Sequence, residues 1–289
     1  MRQRAVIDII EQTAPLSLMA EWDHSGVQVA SPREDISCLA VCLDPTPAQV
    51  AAAVAAGADM VLAHHPLALR AQWTGSLNDY TDVLRLLYAH DMPLYSCHTT
   101  LDAYPAGPAA WLPDELGLVR RSLLEKTGTF VSGGEPVEGG FGCVGDLPSP
   151  MPARDLLRSL EDILPPGIMR AHARLIGVPP DMISRVAVCT GSGASLIGEA
   201  AELGADLYIT GDVKYHDALA LLSRNSKNGS DHCPMAVLDA GHFSLEEEMM
   251  RRFSLLLQKQ MQGVRVLFLP GANPFLPATS FYEVQEVLS

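Results

Sequence analysis

The chain of 289 residues lacks an apolar run long enough to cross a membrane. A spanning helix needs about 20 apolar residues, whereas the longest candidate, 50–63, is alanine-rich and interrupted by Gly57 and Asp59. The first residues lead into an amphipathic helix pattern and carry no apolar signal-peptide core. We therefore expect a cytoplasmic protein with no membrane partner.

The chain also lacks closely spaced cysteine pairs, and it has fewer basic residues (20) than acidic ones (34). The six cysteines form no CxxC pair and mostly lie in apolar runs, which favours buried free thiols in a reducing compartment. They are Cys38, Cys42, Cys97, Cys143, Cys189 and Cys233. The net charge of −14 argues against a nucleic-acid partner, which needs a basic footprint. A small anionic substrate stays compatible, because divalent cations would dominate the field inside a cleft.

What the chain does contain is a regular alternation of short apolar runs with helical patterns. This alternation predicts an α/β fold with a largely parallel sheet. The predicted strands are 38–43, 59–63, 93–97, 185–189, 206–209, 235–239 and 264–269. The predicted helices are 47–56, 79–90, 107–117, 194–203, 213–223 and 244–260.

The chain also carries an internal repeat at an offset of 147 residues. Ala40-Val41-Cys42 matches 187–189, and Gly57-Ala58-Asp59 matches 204–206. We read residues 1–125 and 174–289 as duplicated α/β halves of one main layered domain. The Gly/Pro-rich residues 126–173, with two short strand candidates and a helix near 153–163, form a predicted small α+β lobe inserted between the halves.

The most informative motif is His64-His65-Pro66, which ends an apolar strand-like run. Consecutive strand side chains point to opposite faces. Both rings therefore reach one site only if the chain is already turning, as Pro66 suggests. Two neutral imidazoles at the carboxyl end of an α/β strand suit a transition metal. Two loop histidines bonded to water or backbone are the alternative.

Two other predicted strands are also followed by side chains that can bind a metal. Asp102 follows the run 94–97, and His242 and Glu246 follow the run 237–238. His242 and Glu246 share a helix face if the helix already includes His242. If the helix starts at Ser244 with Glu247 in a capping box, a loop must bring the two ligands together.

Three imidazoles and two carboxylates are too many for one catalytic ion and suit two ions. Structural zinc sites usually include cysteine, and none is present in this set. Two divalent ions held by five ligands keep positions for water, whose pKa they lower. The predicted cofactor is two divalent metal ions per chain, with Zn, Fe, Mn, Co and Ni all suited to the donors.

Several further residues are candidates around this site. His98 is a proton shuttle, a residue that orients Asp102, or a core histidine, and Asp23 is a second candidate for proton transfer. At the repeat position of the histidine pair, Asp212, Lys214 and His216 are candidates for substrate binding. Residues 22–26 read as a turn that could cap the cleft, and 191–193 as an anion-binding nest or a plain turn.

Five ordered motifs resemble those of the NGG-interacting-factor-like family, whose members carry the name type 2 homologue of GTP cyclohydrolase I. They are Trp22-Asp23-His24-Ser25-Gly26, His64-His65-Pro66, His98-Thr99-Thr100-Leu101-Asp102, Gly211-Asp212-Val213-Lys214-Tyr215-His216 and Gly241-His242-Phe243-Ser244-Leu245-Glu246. The resemblance spans nearly the whole chain and matches the compact members without a long central insertion.

The resemblance implies duplicated α/β halves, a dinuclear metal centre and a toroidal homo-hexamer built as a trimer of dimers. It carries the ligand roles onto His64, His65, Asp102, His242 and Glu246. The chain departs from the family pattern at His24, Thr100, Phe243 and 104–108, so the pocket around the metals differs.

The function we expect is a metal-dependent hydrolase acting on an anionic small molecule, with a C–N or P–O bond as target. GTP is a name inherited from the family, since the chain has no P-loop or guanine-reading motif. A non-enzymatic metal-binding scaffold or regulatory oligomer is the alternative. A nucleic-acid-binding toroid ranks third, because no basic stripe is present.

Overall fold

The computed structural model describes residues 1–132, 134–227 and 235–277. Two compact units divide the described chain. The first comprises Met1–Trp111, Glu125–Phe141 and Glu247–Gly271, and the second comprises Leu112–Leu124, Gly142–Glu246 and the described residues from Ala272 onward. The division of the chain at residues 126 and 173 stays a prediction.

The first unit contains a five-stranded mixed sheet in the order β1-β4-β3-β2-β11. Its strands are β1 (Gly26–Val29), β2 (Cys38–Cys42), β3 (Met60–Ala63), β4 (Leu94–Ser96) and β11 (Arg265–Phe268). β1 is antiparallel to β4, and the other neighbours run parallel. All five residues of β2 are buried, as expected for a strand covered on both faces.

Four helices accompany this sheet within residues 1–111. They are α1 (Gln3–Thr13), α2 (Pro47–Ala55), α3 (Asp79–Ala89) and α4 (Thr99–Asp102). Thr46 caps α2 by accepting from Gln49 N, and Pro47 stands at its first turn, where the missing N–H costs nothing. α2 and α3 pack on one face of the sheet through Val50, Ala53, Val83 and Leu87.

The second sheet is six-stranded and mixed, in the order β5-β6-β8-β9-β10-β7. Its strands are β5 (Val119–Ser132), β6 (Glu135–Pro152), β7 (Arg174–Ile176), β8 (Met182–Ser192), β9 (Leu207–Gly211) and β10 (Ala236–Asp239). β8, β9 and β10 run parallel, whereas β6 and β7 are antiparallel to their neighbours β8 and β10. The remaining helices are α5 (Trp111–Glu115), α6 (Ala153–Ile163), α7 (Ile168–Ala171), α8 (Ile197–Glu202), α9 (Tyr215–Lys227) and α10 (His242–Gln260).

The chain is therefore an α/β protein with two mixed sheets, where the alternation of elements had suggested one largely parallel sheet. The strands of the middle region are also much longer than the two short ones expected there. A Cβ at Gly140 would collide with the backbone of Glu125, so glycine here permits close backbone approach inside long strands.

The hydrogen bonding of the repeated segments recurs at the offset of 147. Leu39 pairs with Met60 across β2 and β3, and Val186 pairs with Leu207 across β8 and β9. The carboxylate of Asp59 accepts from the backbone N of residues 37 and 38, at 2.8 and 3.1 Å. That of Asp206 accepts from the backbone N of residues 184 and 185, at 2.7 and 2.9 Å.

Two expectations from composition concern the cysteines and membrane association. Among the described residues, Cys38, Cys42, Cys97 and Cys189 are buried thiols outside any disulfide, and Cys143 is a half-buried one. Cys233 lies outside the described residues. Across 1–132, 134–227 and 235–277, no helix has both the length and the apolar character needed to cross a membrane.

Candidate metal centre

His64 and His65 stand where the chain turns out of β3. The backbone N of His64 donates to the carbonyls of Cys42 and Leu43, both at 3.2 Å, and the N of His65 donates to Leu43 at 3.0 Å. Strand alternation has therefore ended. The two imidazole centroids lie 5.0 Å apart, so both rings reach one place.

A third imidazole joins this pair in the first unit. His98 immediately precedes α4, and its ring centroid lies 5.3 Å from that of His64 and 5.5 Å from that of His65. One ring nitrogen from each of the three lies within 4.8 Å of the others. Asp102, in α4, places its Oδ1 3.6 Å from Nε2 of His64. We call His64, His65 and His98 the imidazole cluster.

Each ring of the imidazole cluster is held by an oxygen at Nδ1. The acceptor is the Cys97 carbonyl at 3.2 Å for His64, Asp44 Oδ1 at 2.7 Å for His65 and Asp23 Oδ1 at 2.9 Å for His98. A carbonyl or carboxylate oxygen can only accept, so Nδ1 carries the hydrogen. In the neutral ring the lone pair that a metal would bind is then on Nε2, an arrangement usual for metal-binding histidines.

Asp23, the acceptor for His98, takes part in four further hydrogen bonds. Asp23 is buried, and besides His98 its carboxylate accepts from the backbone N of His24, from Ser25 Oγ and from both N and Oγ1 of Thr99. Burial opposes its ionised form, but hydrogen bonds from His98, Thr99 and Ser25 outweigh burial and hold the pKa of Asp23 well below its usual range. Asp23 therefore presents a permanent negative charge to His98.

The second unit carries a pair of candidate ligands, His242 and Glu246. α10 begins at His242, so His242 and Glu246 share one helix face, and His242 Nε2 lies 2.8 Å from Glu246 Oε2. Nδ1 of His242 lies 2.7 Å from Asp212 Oδ2. Burial lowers the pKa of His242, but hydrogen bonds and charge from Glu246 and Asp212 outweigh burial and raise it to about 9.

Buried Asp239 accepts hydrogen bonds from the two loops next to His242 and Asp212. Its carboxylate accepts from the backbone N of Gly241 at 3.0 Å and from the backbone N of Val213 at 3.1 Å, and Arg174 pairs with it. The first loop leads into His242, and the second follows Asp212 directly. The spacing of His242 and Asp212 thus depends on a third carboxylate.

Two glycines lie against the candidate ligands of this unit. Gly191 is the penultimate residue of β8 and has φ +73°, and a Cβ there would overlap the carboxylate of Glu246. A Cβ at Gly211 would lie 2.5 Å from the backbone N of His242. Residues 191–193 were predicted to form an anion-binding nest or a plain turn. Gly191 has the positive φ of a turn and lies against the Glu246 carboxylate, and the anion-binding role stays a prediction.

The remaining sequence candidates lie at the start of α9. Lys214 and His216 are exposed, and the backbone N of Lys214 donates to Asp217 Oδ2 at 3.2 Å. Their role in substrate binding stays a prediction, as does that of Asp212. Asp44 was missed in the sequence, although it also follows a buried strand, because Asp44-Pro45 reads as an ordinary turn.

The donors present fit a transition metal. Imidazole nitrogens and carboxylates suit Zn, Fe, Mn, Co or Ni. The histidine tautomers are fixed by oxygen acceptors, and Gly191 provides space at Glu246. The side chains that the structure describes therefore form clusters consistent with metal binding.

Comparison with known proteins shows the family of this chain. The family model described as Duf34/NIF3 (NGG1p interacting factor 3) matches residues 1–274, and the chain belongs to this family. It is 30% identical over 272 residues to a protein of Clostridium perfringens named GTP cyclohydrolase 1 type 2 homolog, covering 91% of this chain and 94% of that one. A protein of the same name from Streptomyces coelicolor is 30% identical over 249 residues, or 85% of this chain and 81% of that one.

Solved structures show the same fold. A Bacillus cereus protein related to NIF3 superposes with a TM-score of 0.80 at 21% identity, covering 96% of this chain and 99% of that one. The Staphylococcus aureus protein SA1388 gives a TM-score of 0.78 at 22% identity, covering 95% and 98%. The chain thus has the NIF3-like fold over nearly its whole length.

Proposed function

We propose that this protein is a dinuclear metal-dependent hydrolase acting on a small anionic molecule. The proposed ligands are His64, His65, Asp102, His242 and Glu246. One observation carries the proposal: the three ligand histidines each have Nδ1 engaged by an acceptor oxygen, so that Nε2 is the ligand atom. Such anchoring is typical of metal ligands.

Divalent ions in such a site supply Lewis acidity and activate water. Two carboxylates against two divalent ions leave the site with a net positive charge, which favours an anionic substrate. The surface charge of −14 does not oppose this, because the local field of the ions is larger.

We propose that His98 and Asp23 act together in proton transfer, with His98 carrying the proton and Asp23 supporting it. Asp23 keeps the hydrogen of His98 on Nδ1, so Nε2 of His98 is the atom that accepts or returns a proton. The negative charge of Asp23 stabilises the imidazolium formed in between. Lys214 and His216, which are exposed, would contact the anionic part of the substrate.

The other parts of the proposal rest on the family resemblance and on the repeat. We propose a homo-hexamer, arranged as a trimer of dimers, in the cytoplasm. We also propose that residues 1–125 and 174–289 are duplicated halves and that 126–173 is a small lobe inserted between them. The recurrence of both strand pairing and carboxylate bonding at offset 147 supports the duplication.

The test compares metal-loaded wild-type protein with Asp102→Ala and, as matched control, Asp8→Ala. Asp8 is half-exposed on α1 and pairs only with Arg4 among the contacts described. Each protein is assayed against nucleotides, phosphoesters and cyclic amides, and its metal content is measured by elemental analysis. We expect wild type and Asp8→Ala to hydrolyse one class and to bind about two metal ions per chain, and Asp102→Ala to lose both properties.

A different result would favour the alternative function. If no protein hydrolyses any compound, and Asp102→Ala loses metal and thermal stability, the protein is a metal-binding scaffold or regulatory oligomer. Full activity of Asp102→Ala would contradict the ligand assignment itself.

A further inference from the structure

Ser96, the last residue of β4, has its hydroxyl in a fully buried position next to the imidazole cluster. Its exposed fraction is 0%. β4 lies between β1 and β3, and Ser96 pairs with Gly26 on one side and with Ala63 on the other. A hydroxyl enclosed in this way costs free energy unless it has a hydrogen-bond partner. Alanine is only slightly smaller and would occupy the place without that cost.

The partner of Ser96 is the backbone of a proposed metal ligand. Ser96 Oγ donates to the carbonyl of His64 at 2.8 Å. The parallel pairing of β3 with β4 extends only to Ala63 and Ser96, so the His64 carbonyl lies just beyond the paired residues. His64 is itself fully buried, and a buried carbonyl outside a sheet needs a donor from elsewhere. The Ser96 hydroxyl provides that donor.

The residue after Ser96 also contacts this part of the chain. The backbone N of Cys97 donates to the Ala63 carbonyl at 3.1 Å, and the Cys97 carbonyl lies 3.2 Å from Nδ1 of His64. Two consecutive residues therefore hold the backbone and the ring of His64. The ring contact forms only while the backbone of His64 presents the imidazole to Cys97. The direction of Nε2 thus depends on the peptide group that Ser96 binds.

This peptide group is shared by both histidines of the pair. The carbonyl of His64 belongs to the bond that joins His64 to His65, and a peptide unit is planar. Fixing its oxygen restricts the backbone rotation on both sides, at His64 and at His65. One hydrogen bond therefore influences the placement of two imidazoles.

We propose that Ser96 is a positioning residue for the metal centre, acting through the peptide between His64 and His65. Its hydroxyl holds this peptide in the orientation that brings both Nε2 atoms to one place. The inference rests on the proposed function, because it takes His64 and His65 as ligands. It adds a residue that supports the centre without binding an ion.

The test measures cobalt(II) binding to metal-free, full-length protein by visible absorption, in competition with a chelator. Cobalt suits the same donors, and its visible bands respond to the arrangement of its ligands. The variants are Ser96→Ala, which removes the donor, and Ser96→Thr, which keeps a hydroxyl. Ser254→Ala is the matched control, because Ser254 is buried in the same unit and its Oγ also donates to a backbone carbonyl, that of Arg251, at 2.7 Å.

A second control separates positioning from a general loss of stability. Val83 is buried in the core that α2 and α3 form on the first sheet, so Val83→Ala leaves a cavity and should lower the temperature of unfolding. Thermal unfolding is recorded for every variant beside cobalt binding.

We expect Ser96→Ala to bind cobalt about 10- to 100-fold more weakly than wild type, the usual effect of losing a residue that orients a ligand. Its visible bands should shift as well. Ser96→Thr should recover most of the affinity and the wild-type bands. Ser254→Ala and Val83→Ala should bind cobalt as wild type does.

The proposal is overturned if Ser96→Ala keeps the wild-type affinity and bands. It is also overturned if Val83→Ala loses as much affinity as Ser96→Ala, since reduced stability would then explain both. Failure of the hydrolase proposal looks different, because wild type would then hydrolyse none of the compounds tested while its cobalt binding still depended on the Ser96 hydroxyl.

Discussion

Asp212 Oδ2 lies 2.7 Å from Nδ1 of His242, and Asp212 makes this contact from a left-handed backbone conformation at φ 58°. Residues other than glycine seldom adopt this region, and they persist there when the surroundings hold them. The residue with the strained backbone, Asp212, is thus also the one that hydrogen-bonds to His242, a proposed metal ligand.

The first prediction concerns metal affinity in Asp212→Gly. Glycine tolerates the backbone conformation, so this variant removes the carboxylate while relieving the strain. We expect metal affinity to fall about 10- to 100-fold, the usual effect of losing an orienting partner. Titration with zinc against a competing chelator measures it.

Asp212→Asn is the matched control, because asparagine also tolerates φ > 0 and keeps an acceptor for Nδ1. Its affinity should lie between those of wild type and Asp212→Gly. Unchanged zinc affinity in Asp212→Gly would mean that Asp212 does not orient His242.

The second prediction compares two glycines with nearly the same backbone. Gly191 has φ +73° and lies against the Glu246 carboxylate, whereas Gly204 has φ +75° and nothing within 4 Å of its would-be Cβ. Alanine at either position costs about 1–2 kcal/mol of folding free energy from the left-handed backbone. Only Gly191→Ala also displaces Glu246.

Gly191→Ala should therefore unfold at a lower temperature than Gly204→Ala and should also lose metal. Differential scanning fluorimetry and elemental analysis of the two purified variants provide the comparison. Equal metal content in both would show that Glu246 is not a ligand or that its carboxylate relocates without loss.

The sequence predicted much of the fold where local pattern determines it. The predicted helix 153–163 is α6 residue for residue, because its apolar positions repeat strongly at helical spacing. The edge strands β1 and β7 were not predicted. Each has only three or four residues, and each owes its extended conformation to pairing with a strand distant in sequence.

In the candidate site, too, the sequence points to residues with a local signal and misses those that depend on tertiary contacts. The sequence pointed to His64, His65 and Asp102 as candidate ligands because polar residues at the ends of apolar strands are a local signal. Asp44 and the burial of Asp23 were not found, since both depend on a histidine brought close by folding. The acceptors that orient the candidate histidine ligands are therefore harder to predict than the candidate ligands themselves.

The third prediction concerns the cysteines. Burial raises the pKa of Cys97 and of Cys42, and the nearby acids raise it further, so neither thiol ionises at neutral pH. We expect iodoacetamide to leave both unmodified in native protein at pH 8, because the thiolate is the nucleophile.

Peptide mass spectrometry after labelling measures this, with protein in 6 M guanidinium chloride as the fully reactive control. Rapid labelling of Cys97 under native conditions would indicate that the turn carrying His98 opens readily.

The last prediction concerns Asp59, whose carboxylate pairs with Arg33 at 2.9 Å and accepts from Ser37 and from the backbone N of Cys38. Burial works against its ionised form, but these hydrogen bonds and the charge of Arg33 outweigh burial, so the pKa of Asp59 lies below its usual value. A carboxyl with a lowered pKa stabilises the fold above its unfolded pKa of about 4, and this contribution is lost as the pH falls through the folded value.

Asp59→Asn should therefore lower the free energy of unfolding by about 1–3 kcal/mol at pH 7, and the difference from wild type should shrink below about pH 4. Urea unfolding followed by circular dichroism at several pH values measures it. Asp8→Asn is the control and should change stability by less than about 0.5 kcal/mol throughout. A difference for Asp59→Asn that stays constant down to pH 2 would show that neutral hydrogen bonds, and not the charge of Asp59, provide the stability.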